Sequence, residues 1–315
     1  MKKFLLLIFL SIVSFNVIHA DITWKLSDDG TLTISGTNMP DYYSESNASS
    51  SAPWSSLREK IKKVVIKNGV TNIGSGAFFI CNYITSVTIP NSVKSIGATA
   101  FAGCSSLTSI TIPNSVTTIG WSAFASCRNL TSITLSESLT SIEGGSFNSC
   151  TKLASITIPN SVKSIGVTAF AYCTNLTSVT IPNSVTTIER AAFRNCSKLT
   201  SVTIPNSVTT IGQSVFAYCS ALTSVTNLST TPQKITDGTF TNYGTLHVLP
   251  GCKAAYKTAD YWKNFTIIED AKGSGTTEVA DVEVNNGIKD GKYLIDGKVV
   301  IVRNGKKYNL NGIAE

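Results

Sequence analysis

Seven cysteines recur along this chain at one constant interval of 23 residues. They are Cys81, Cys104, Cys127, Cys150, Cys173, Cys196 and Cys219. One residue type at a fixed spacing of roughly 20 to 50 residues is typical of a protein built from stacked structural repeats. The interval therefore predicts a solenoid of similar coils, and it makes these cysteines markers of position before they are candidates for disulfide bonds.

Other residue types recur with the same spacing. Seven complete units, which we number coils one to seven, begin at Ile61, Ile84, Leu107, Leu130, Leu153, Leu176 and Leu199. We call each of the 23 positions of the unit a column and number the columns from the first residue of the coil. In each coil, columns one, four, six and ten are aliphatic, column thirteen is Ile and column eighteen is Phe. An eighth unit begins at Leu222 and then loses the pattern. One coil has too few apolar side chains to offset the entropy of ordering it, so stability must come from contacts between coils.

Coil three illustrates the local structure that each unit predicts. Residues 108–112 alternate polar and apolar side chains, which indicates a β-strand with one buried face, and Pro113 ends the pairing because it has no N–H. Residues 116–119 read as a second short extended stretch. Phe124 and Cys127 are three residues apart, which suggests one helical or 3₁₀ turn. The expected fold class is a mainly β solenoid with short helical turns.

The first 20 residues have the parts of a secretory signal peptide. Lys2 and Lys3 precede a short apolar run at 4–13, and Ala20 is a suitable residue before a cleavage site. The run is too short to span a membrane, and no other segment has eighteen consecutive apolar residues. We therefore expect an exported protein without a transmembrane anchor.

The remaining segments predict caps and a tail. Asp28-Asp29-Gly30 between two alternating stretches predicts an opening hairpin. Residues 245–250 and 254–262 read as a last strand and a closing helix, and the Asp296-Gly297 and Asn304-Gly305 turns predict a three-stranded meander. The expected organisation is a signal peptide at 1–20, an N-terminal cap at 21–60, repeats at 61–228, a C-terminal cap at 229–270, a linker at 271–286 and a C-terminal β-module at 287–315.

The unit L-T-S-I-T-I-P-N-S-V-T-T-I-G-x-x-A-F-x-x-C resembles the BspA-like (Treponema-type) leucine-rich repeat family over about residues 21–270. The resemblance implies a curved β solenoid at a bacterial surface, often associated with adhesion to host matrix proteins or other cells, and it implies no enzyme activity. Coil four departs locally, with Ser136-Glu137 in place of Pro-Asn and Glu143 in place of Gly.

The tail at 291–312 resembles the carboxy-terminal sorting domain of proteins exported by the Bacteroidetes type IX system. Those tails often end on a basic residue, whereas this chain ends on Glu315. The alternative for this segment is a plain stabilising β-module.

The cysteine column predicts buried free thiols more strongly than disulfides. Equivalent side chains on successive coils lie about 4.8 Å apart, whereas a disulfide requires Cβ atoms about 3.8 Å apart in crossed geometry. Buried Cys behaves as a small apolar residue. Cys252 lies outside the column and is a candidate exposed thiol.

Composition argues against several function classes. The formal net charge of +7 comes from scattered basic residues without interleaved aromatic residues, so nucleic-acid binding is not expected. The mature chain keeps one histidine, His247, which reads as a surface residue on the last strand, and there is no CxxC or calcium-loop motif. We expect no cofactor and no metal.

The candidate binding residues lie on two surfaces. Outward positions of the strands form hydroxyl rows that include Ser109, Ser132, Ser155, Thr111, Thr134 and Thr157. Columns fifteen and twenty vary too freely to be core, and they contain Trp121, Tyr172, Arg190 and Tyr218, which are residue types favoured at interfaces. The simpler interpretations are that the hydroxyls keep a sheet soluble and that the varied columns have drifted.

These observations predict an exported bacterial surface protein, monomeric and non-enzymatic, that recognises a host or cell-surface protein or glycan through a solenoid face. The alternative is a structural spacer with no specific ligand. A third hypothesis is an enzyme that uses His247.

Overall fold

The structure is a computed structural model that describes residues 22–44 and 49–271, together with the strand backbones at 291–295, 298–303 and 306–308. The predicted signal peptide and nearly all of the predicted linker lie outside the described residues. In the part described, no helix is long and apolar enough to cross a membrane.

A parallel ladder of strands runs along one side of the solenoid, with one strand from each of the seven coils and one from the incomplete eighth unit. Its strands in the coils are β5 Lys63–Ile66, β7 Ser86–Thr88, β9 Ser109–Thr111, β11 Ser132–Thr134, β13 Ser155–Thr157, β15 Ser178–Thr180, β17 Ser201–Ile204 and β19 Ser224–Asn227. Equivalent residues pair within three hydrogen-bonded segments, which are β5 to β7, β9 to β11 and β13 to β19, as Ser132 does with Ser109 and Thr134 with Thr111. Ile110 is buried between exposed neighbours, as the alternating sequence predicts.

A second set of two-residue strands packs behind the first and contains column thirteen. These strands are β6 Asn72–Ile73, β8 Ser95–Ile96, β10 Thr118–Ile119, β12 Ser141–Ile142, β14 Ser164–Ile165, β16 Thr187–Ile188 and β18 Thr210–Ile211. Between the two sets the chain turns at the proline, where Val116 N–H donates to the carbonyl oxygen of Pro113 at 2.9 Å. The second extended stretch predicted for each coil is therefore confirmed.

The third side of each coil consists of linked turns, where the sequence predicted one helical or 3₁₀ turn. Columns sixteen and twenty have positive φ, for example 54° at Ser122 and 58° at Ser126, which a right-handed helix excludes. Alternate amides bond to the following coil: Phe124 N–H donates to Ser146 O at 2.9 Å and Ser126 N–H donates to Asn148 O at 2.7 Å. In each of these hydrogen bonds between coils, the donor amide belongs to the coil that comes earlier in the chain. The turns are not helical because half of their amides are satisfied between coils.

A column of stacked phenylalanine rings fills the centre. From Phe78 to Phe240, successive ring centroids lie 5.1–5.7 Å apart. Trp54 stacks on the first ring, and Trp262 packs against the last. Aromatic pairs contribute about 0.5–1.5 kcal/mol beyond the burial of their area. The column therefore links every coil to both caps.

The N-terminal cap begins with the predicted hairpin, in which β1 Ile22–Leu26 pairs antiparallel with β2 Thr31–Gly36. Strand β2 then pairs in parallel with β5, so the hairpin covers the first edge of the ladder. A smaller hairpin of β3 Tyr43–Ser44 and β4 Ser49–Ser50 and a 3₁₀ turn at Ser55–Leu57 complete the cap.

The C-terminal cap continues the ladder further than the sequence suggested. Strand β20 Thr245–Val248 is followed by helix α1 Lys253–Thr258, a 3₁₀ turn at Trp262–Asn264 and a further strand, β21 Thr266–Glu269. The interpretation of 245–250 as the last strand was wrong, because β21 pairs in parallel with β20 and forms the final edge.

The predicted three-stranded meander is confirmed in the tail. Strands β22 Gly291–Ile295, β23 Lys298–Arg303 and β24 Lys306–Tyr308 pair antiparallel in sequence order. The mainly β solenoid class is confirmed, with its helical segments in the caps.

Candidate binding surfaces

The cysteine column is buried and unbridged. All seven column cysteines are free and at most 2% exposed, as the sequence predicts. From coil two onward, each thiol donates to the carbonyl oxygen of the Phe in the preceding coil, as Cys127 Sγ does to Phe101 O at 3.2 Å. Burial raises the pKa of Cys127 and of Cys173 to about 12, so neither thiol is a nucleophile near neutral pH.

The expectation of an exposed thiol at Cys252 was wrong. Its side chain belongs to the hydrophobic core of the C-terminal cap and is 8% exposed. The residue directly precedes helix α1, and the amides of Ala255 and Tyr256 both donate to its carbonyl oxygen. The thiol is therefore a packing element at the start of the helix.

The strand face, which we define as the outward side chains of β7 to β17, carries the predicted hydroxyl rows. Ser109, Ser132 and Ser155 are exposed, and so are Thr111, Thr134 and Thr157. The rows are aligned between coils, since Ser155 pairs with Ser178 and Thr157 with Thr180. The result is a regular and nearly uniform polar surface.

His247 extends the threonine row into the C-terminal cap, where it pairs with Thr226 of the neighbouring strand. Its Nδ1 lies 2.6 Å from Oδ1 of Asp270, a partner that the sequence reading missed because the repeat pattern has been lost there. Among the described residues, Asp270 is the one hydrogen-bond partner of the ring. A histidine and a carboxylate without an attached nucleophile do not form a catalytic triad.

The turn face, which we define as the exposed side chains of columns fifteen to twenty-three, carries the predicted aromatic residues. Trp121 is 58% exposed, Tyr172 is 44% exposed and Tyr218 is 53% exposed. Arg190 is exposed as well. Within columns fifteen and twenty only Gly144 is buried, and the ring of Trp121 covers it.

The structure brings only part of this set together. Tyr172 in coil five and Tyr218 in coil seven occupy the same column on either side of coil six, while Trp121 lies in coil three. Coil six adds Arg194, whose guanidinium carbon lies 4.7 Å from the centroid of the Tyr218 ring. Arg194 was not among the residues predicted from the sequence, although it is the one charged residue in column nineteen, which otherwise contains Ala, Phe or Asn.

Tyr172 and Tyr218 both occupy a strained backbone conformation. The φ angle is 61° at Tyr172 and 60° at Tyr218, a region that costs a residue other than glycine about 1–2 kcal/mol. Coils two and six place Gly103 and Asn195 in the same column, which are the residue types that fit it best. A large, half-exposed ring at such a position gains little from burial in return.

The 23-residue repeat matches a known protein family. Six copies of the BspA type leucine rich repeat region match residues 56–176 and 141–259, which together cover more than half of the chain. The chain belongs to the BspA-type leucine-rich repeat family. This family is not typically enzymatic, and its repeats suggest a binding or recognition role.

Solved structures of bacterial leucine-rich repeat proteins are similar to this BspA-type chain. A protein from Eubacterium ventriosum is 27% identical, with 74% of this chain and 77% of that chain covered and a TM-score of 0.38. The Treponema pallidum leucine-rich repeat protein is 22% identical over 64% and 88%, with a TM-score of 0.45. A leucine-rich cell surface protein from Faecalibacterium prausnitzii is 23% identical over 84% and 96%, with a TM-score of 0.40. No functionally curated protein matches the chain.

The turn face of this BspA-type solenoid is basic. In all seven coils, columns fifteen to twenty-three contain no Asp or Glu. Their basic residues are Arg128, Lys152, Arg190, Arg194 and Lys198. The surface therefore combines positive charge with exposed aromatic rings.

Two depressions in the surface lie at the caps. One of about 460 Å³ is lined by residues that include Gln233, Ile235 and Tyr261, and another of about 450 Å³ includes Arg58, Phe79 and Ile80. Neither contains Trp121, Tyr172 or Tyr218. Among the described residues, no cluster of His, Cys, Asp and Glu could hold a metal ion. The candidate residues thus form an open surface, which suits a macromolecule better than a small ligand that needs enclosure.

Proposed function

We propose that this chain is an exported, non-enzymatic binding protein of the bacterial surface that recognises host or cell-surface proteins or glycans through its solenoid. The family supports a binding role. Export through residues 1–20 and sorting through residues 287–315 belong to the same proposal. Deletion of 287–315 is expected to move the protein from the cell surface to another fraction, as measured by cell fractionation.

The proposal rests on the exposure of four large rings on the turn face, of which Tyr83 in coil one is 54% exposed. Trp121, Tyr172 and Tyr218 are 44–58% exposed in a protein whose other surface residues are mostly small and polar. Tyr and Trp are enriched among the residues that dominate binding energy at protein interfaces. The two tyrosines also stand at positions where glycine or asparagine would relieve backbone strain.

The strand face is the second surface, and it is weaker as a recognition site. Its aligned hydroxyls, such as those of Thr134 and Thr157, repeat from coil to coil and so offer many equivalent positions. Specific recognition requires a difference between the intended partner and its competitors, which a uniform row does little to supply.

A solid-phase adhesion assay against immobilised extracellular-matrix proteins and glycans tests the proposal with the whole exported protein. The turn-face variant carries Trp121→Ser, Tyr172→Asn and Tyr218→Asn, and asparagine suits the positive φ of the two tyrosine positions. The control carries Thr134→Tyr and Thr157→Tyr, which place rings over the hydroxyl rows of the strand face.

We expect the turn-face variant to lose adhesion and the strand-face variant to retain it. The reverse result would assign binding to the strand face. No specific adhesion by the unaltered protein would favour a structural spacer over a binding protein.

A further inference from the structure

Coil six concentrates positive charge that the protein itself does not neutralise. Arg190, Arg194 and Lys198 follow one another at four-residue intervals across its turns. Between side chains that the structure describes, basic groups lie within 4 Å of carboxylate oxygens at His247–Asp270 and Lys263–Asp260, and neither pair involves coil six. Lys198 Nζ donates a hydrogen bond of 2.7 Å to Oδ1 of Asn175, which is a neutral group, so the three positive charges remain without a carboxylate partner and can meet an external anion.

Arg194 is held in place at the centre of this group. Its guanidinium lies over the ring of Tyr218, and its carbonyl oxygen accepts a hydrogen bond of 2.8 Å from the amide of Tyr172. The amide of Tyr218 is fixed in turn by the hydroxyl of Thr241 at 2.9 Å. Stacking on an aromatic face leaves the edge of a guanidinium free for a bidentate hydrogen bond, and a fixed group loses less entropy on binding.

The acidic residue next to this group in the sequence bonds to the backbone of coil five. Glu189 precedes Arg190 in the chain, and its Oε2 accepts a hydrogen bond of 3.2 Å from the amide of Val167. The two coils on either side, five and seven, contribute no charged side chain of either sign to the turn face. A transverse basic strip therefore runs along coil six and is bordered by Tyr172 and Tyr218.

We propose that Arg194, between Tyr172 and Tyr218, binds a carboxylate of an acidic segment of a protein partner, which lies along coil six where Arg190 and Lys198 provide two further positive charges. The inference rests on the proposed binding function and adds a location and a partner class to it. Arginine matches carboxylate geometry with two parallel N–H donors, and the two rings supply contact area at low entropic cost.

A protein segment fits this surface better than a polyanionic glycan. A polyanion binds through many charge contacts spread along its length, which requires a continuous basic track. Here the basic residues of the turn face are absent from coils five and seven, so no such track follows the solenoid axis. Three cations and two rings on one coil instead suit a short segment of acidic and apolar side chains.

Fluorescence anisotropy with the whole protein tests the assignment. The probes are a short fluorescein-labelled Glu-rich peptide, its counterpart with Gln at every Glu position, and a labelled sulfated oligosaccharide, each at low and at physiological ionic strength. The variants are Arg194→Gln, Arg194→Lys and Tyr218→Asn. The matched control is Lys163→Gln, which removes one positive charge from an exposed residue before β14, away from the turn face.

We expect the Glu-rich peptide to bind and the Gln peptide not to bind. Arg194→Gln and Tyr218→Asn should each raise the dissociation constant about tenfold, whereas Lys163→Gln should change it less than about twofold. Arg194→Lys should restore little of the loss, because lysine lacks the planar pair of donors. Urea midpoints no lower than that of the unaltered protein would show that the variants are folded.

Three results would overturn the inference: equal losses in Arg194→Gln and Lys163→Gln, tighter binding of the sulfated oligosaccharide through Arg194, or no binding of the Glu-rich peptide. The adhesion assay separates these results from failure of the proposed function. If the unaltered protein adheres but does not bind the peptide, the proposed binding function is retained and the acidic protein segment is rejected as its partner.

Discussion

The indole of Trp54 stacks on the phenyl ring of Phe78 with centroids 5.7 Å apart, and its Nε1 donates to the carbonyl oxygen of Ala77 at 2.8 Å. Trp54 is fully buried. One side chain thus covers the first ring of the aromatic column and satisfies a backbone acceptor of coil one.

Replacing Trp54 by Ala should lower the free energy of unfolding by about 3–5 kcal/mol, because a large buried ring and a hydrogen bond are lost. Trp121→Ala is the control, since Trp121 is mostly exposed, and it should change stability by less than about 0.5 kcal/mol. Urea unfolding followed by circular dichroism measures both. Equal losses would contradict the capping role of Trp54.

Glycine in column fourteen permits close contact between coils. A Cβ added at Gly120 would lie 2.5 Å from the backbone nitrogen of Ala98, so Gly120→Ala should destabilise the protein by about 1–3 kcal/mol.

The comparison is Gly144→Ala, whose new Cβ would lie 3.1 Å from the indole of Trp121. That ring is free to move outward, so stability should change by less than about 0.5 kcal/mol while the tryptophan fluorescence shifts. A larger loss in Gly144→Ala than in Gly120→Ala would refute this distinction between backbone and side-chain obstacles.

The positive φ of column twenty predicts that two substitutions change the free energy of unfolding in opposite directions. Ile80 has a φ of 56° and is partly exposed, so Ile80→Asn should raise the free energy of unfolding by about 0.5–1 kcal/mol. Gly103 has a φ of 77° in the next coil, and Gly103→Ala should lower it by about 1 kcal/mol. Differences in urea midpoint measure both effects. The same sign in both variants would argue against backbone strain as the cause.

The buried thiols make stability depend on pH in alkaline solution. Below about pH 8 both the folded and the unfolded chain keep most of their thiol protons. As the pH rises toward about 12, the unfolded chain releases protons that Cys127 and Cys173 retain in the fold, so the free energy of unfolding falls. Cys127→Ala should make this fall less steep.

The same burial predicts the behaviour of thiol reagents. The folded protein should not react with Ellman's reagent at pH 8, and unfolding without a reductant should expose all eight cysteines of the chain. A titre below eight in the unfolded protein would indicate a disulfide.

Periodic features were predictable from the sequence, because each column repeats one local environment. The buried faces of Ile110 and Phe124 and the free thiol of Cys127 all follow from the recurring pattern. The left-handed turns were not, because Ser, Thr, Tyr and Ala share column positions with Gly and the sequence gives no sign of φ.

Contacts between residues in different columns, or outside the repeat, also could not be predicted from the sequence. Arg194 and Tyr218 are one coil and one column apart, and the partnership of His247 with Asp270 lies beyond the last recognisable repeat. Both pairs depend on how neighbouring coils lie against each other, and the sequence of one repeat unit does not show this. The burial of Cys252 likewise depends on the fold of the cap.

The one-way bonding of the turns gives the two ends of the solenoid opposite chemistry. Coil one presents carbonyl oxygens, and its cap answers with donors, the amide of Tyr42 and the indole of Trp54. Coil seven presents amides, and its cap answers with acceptors, the carbonyl of Thr239 and the hydroxyl of Thr241. Without its caps, the solenoid would leave unpaired acceptors at one end and unpaired donors at the other, and the two caps satisfy these opposite groups.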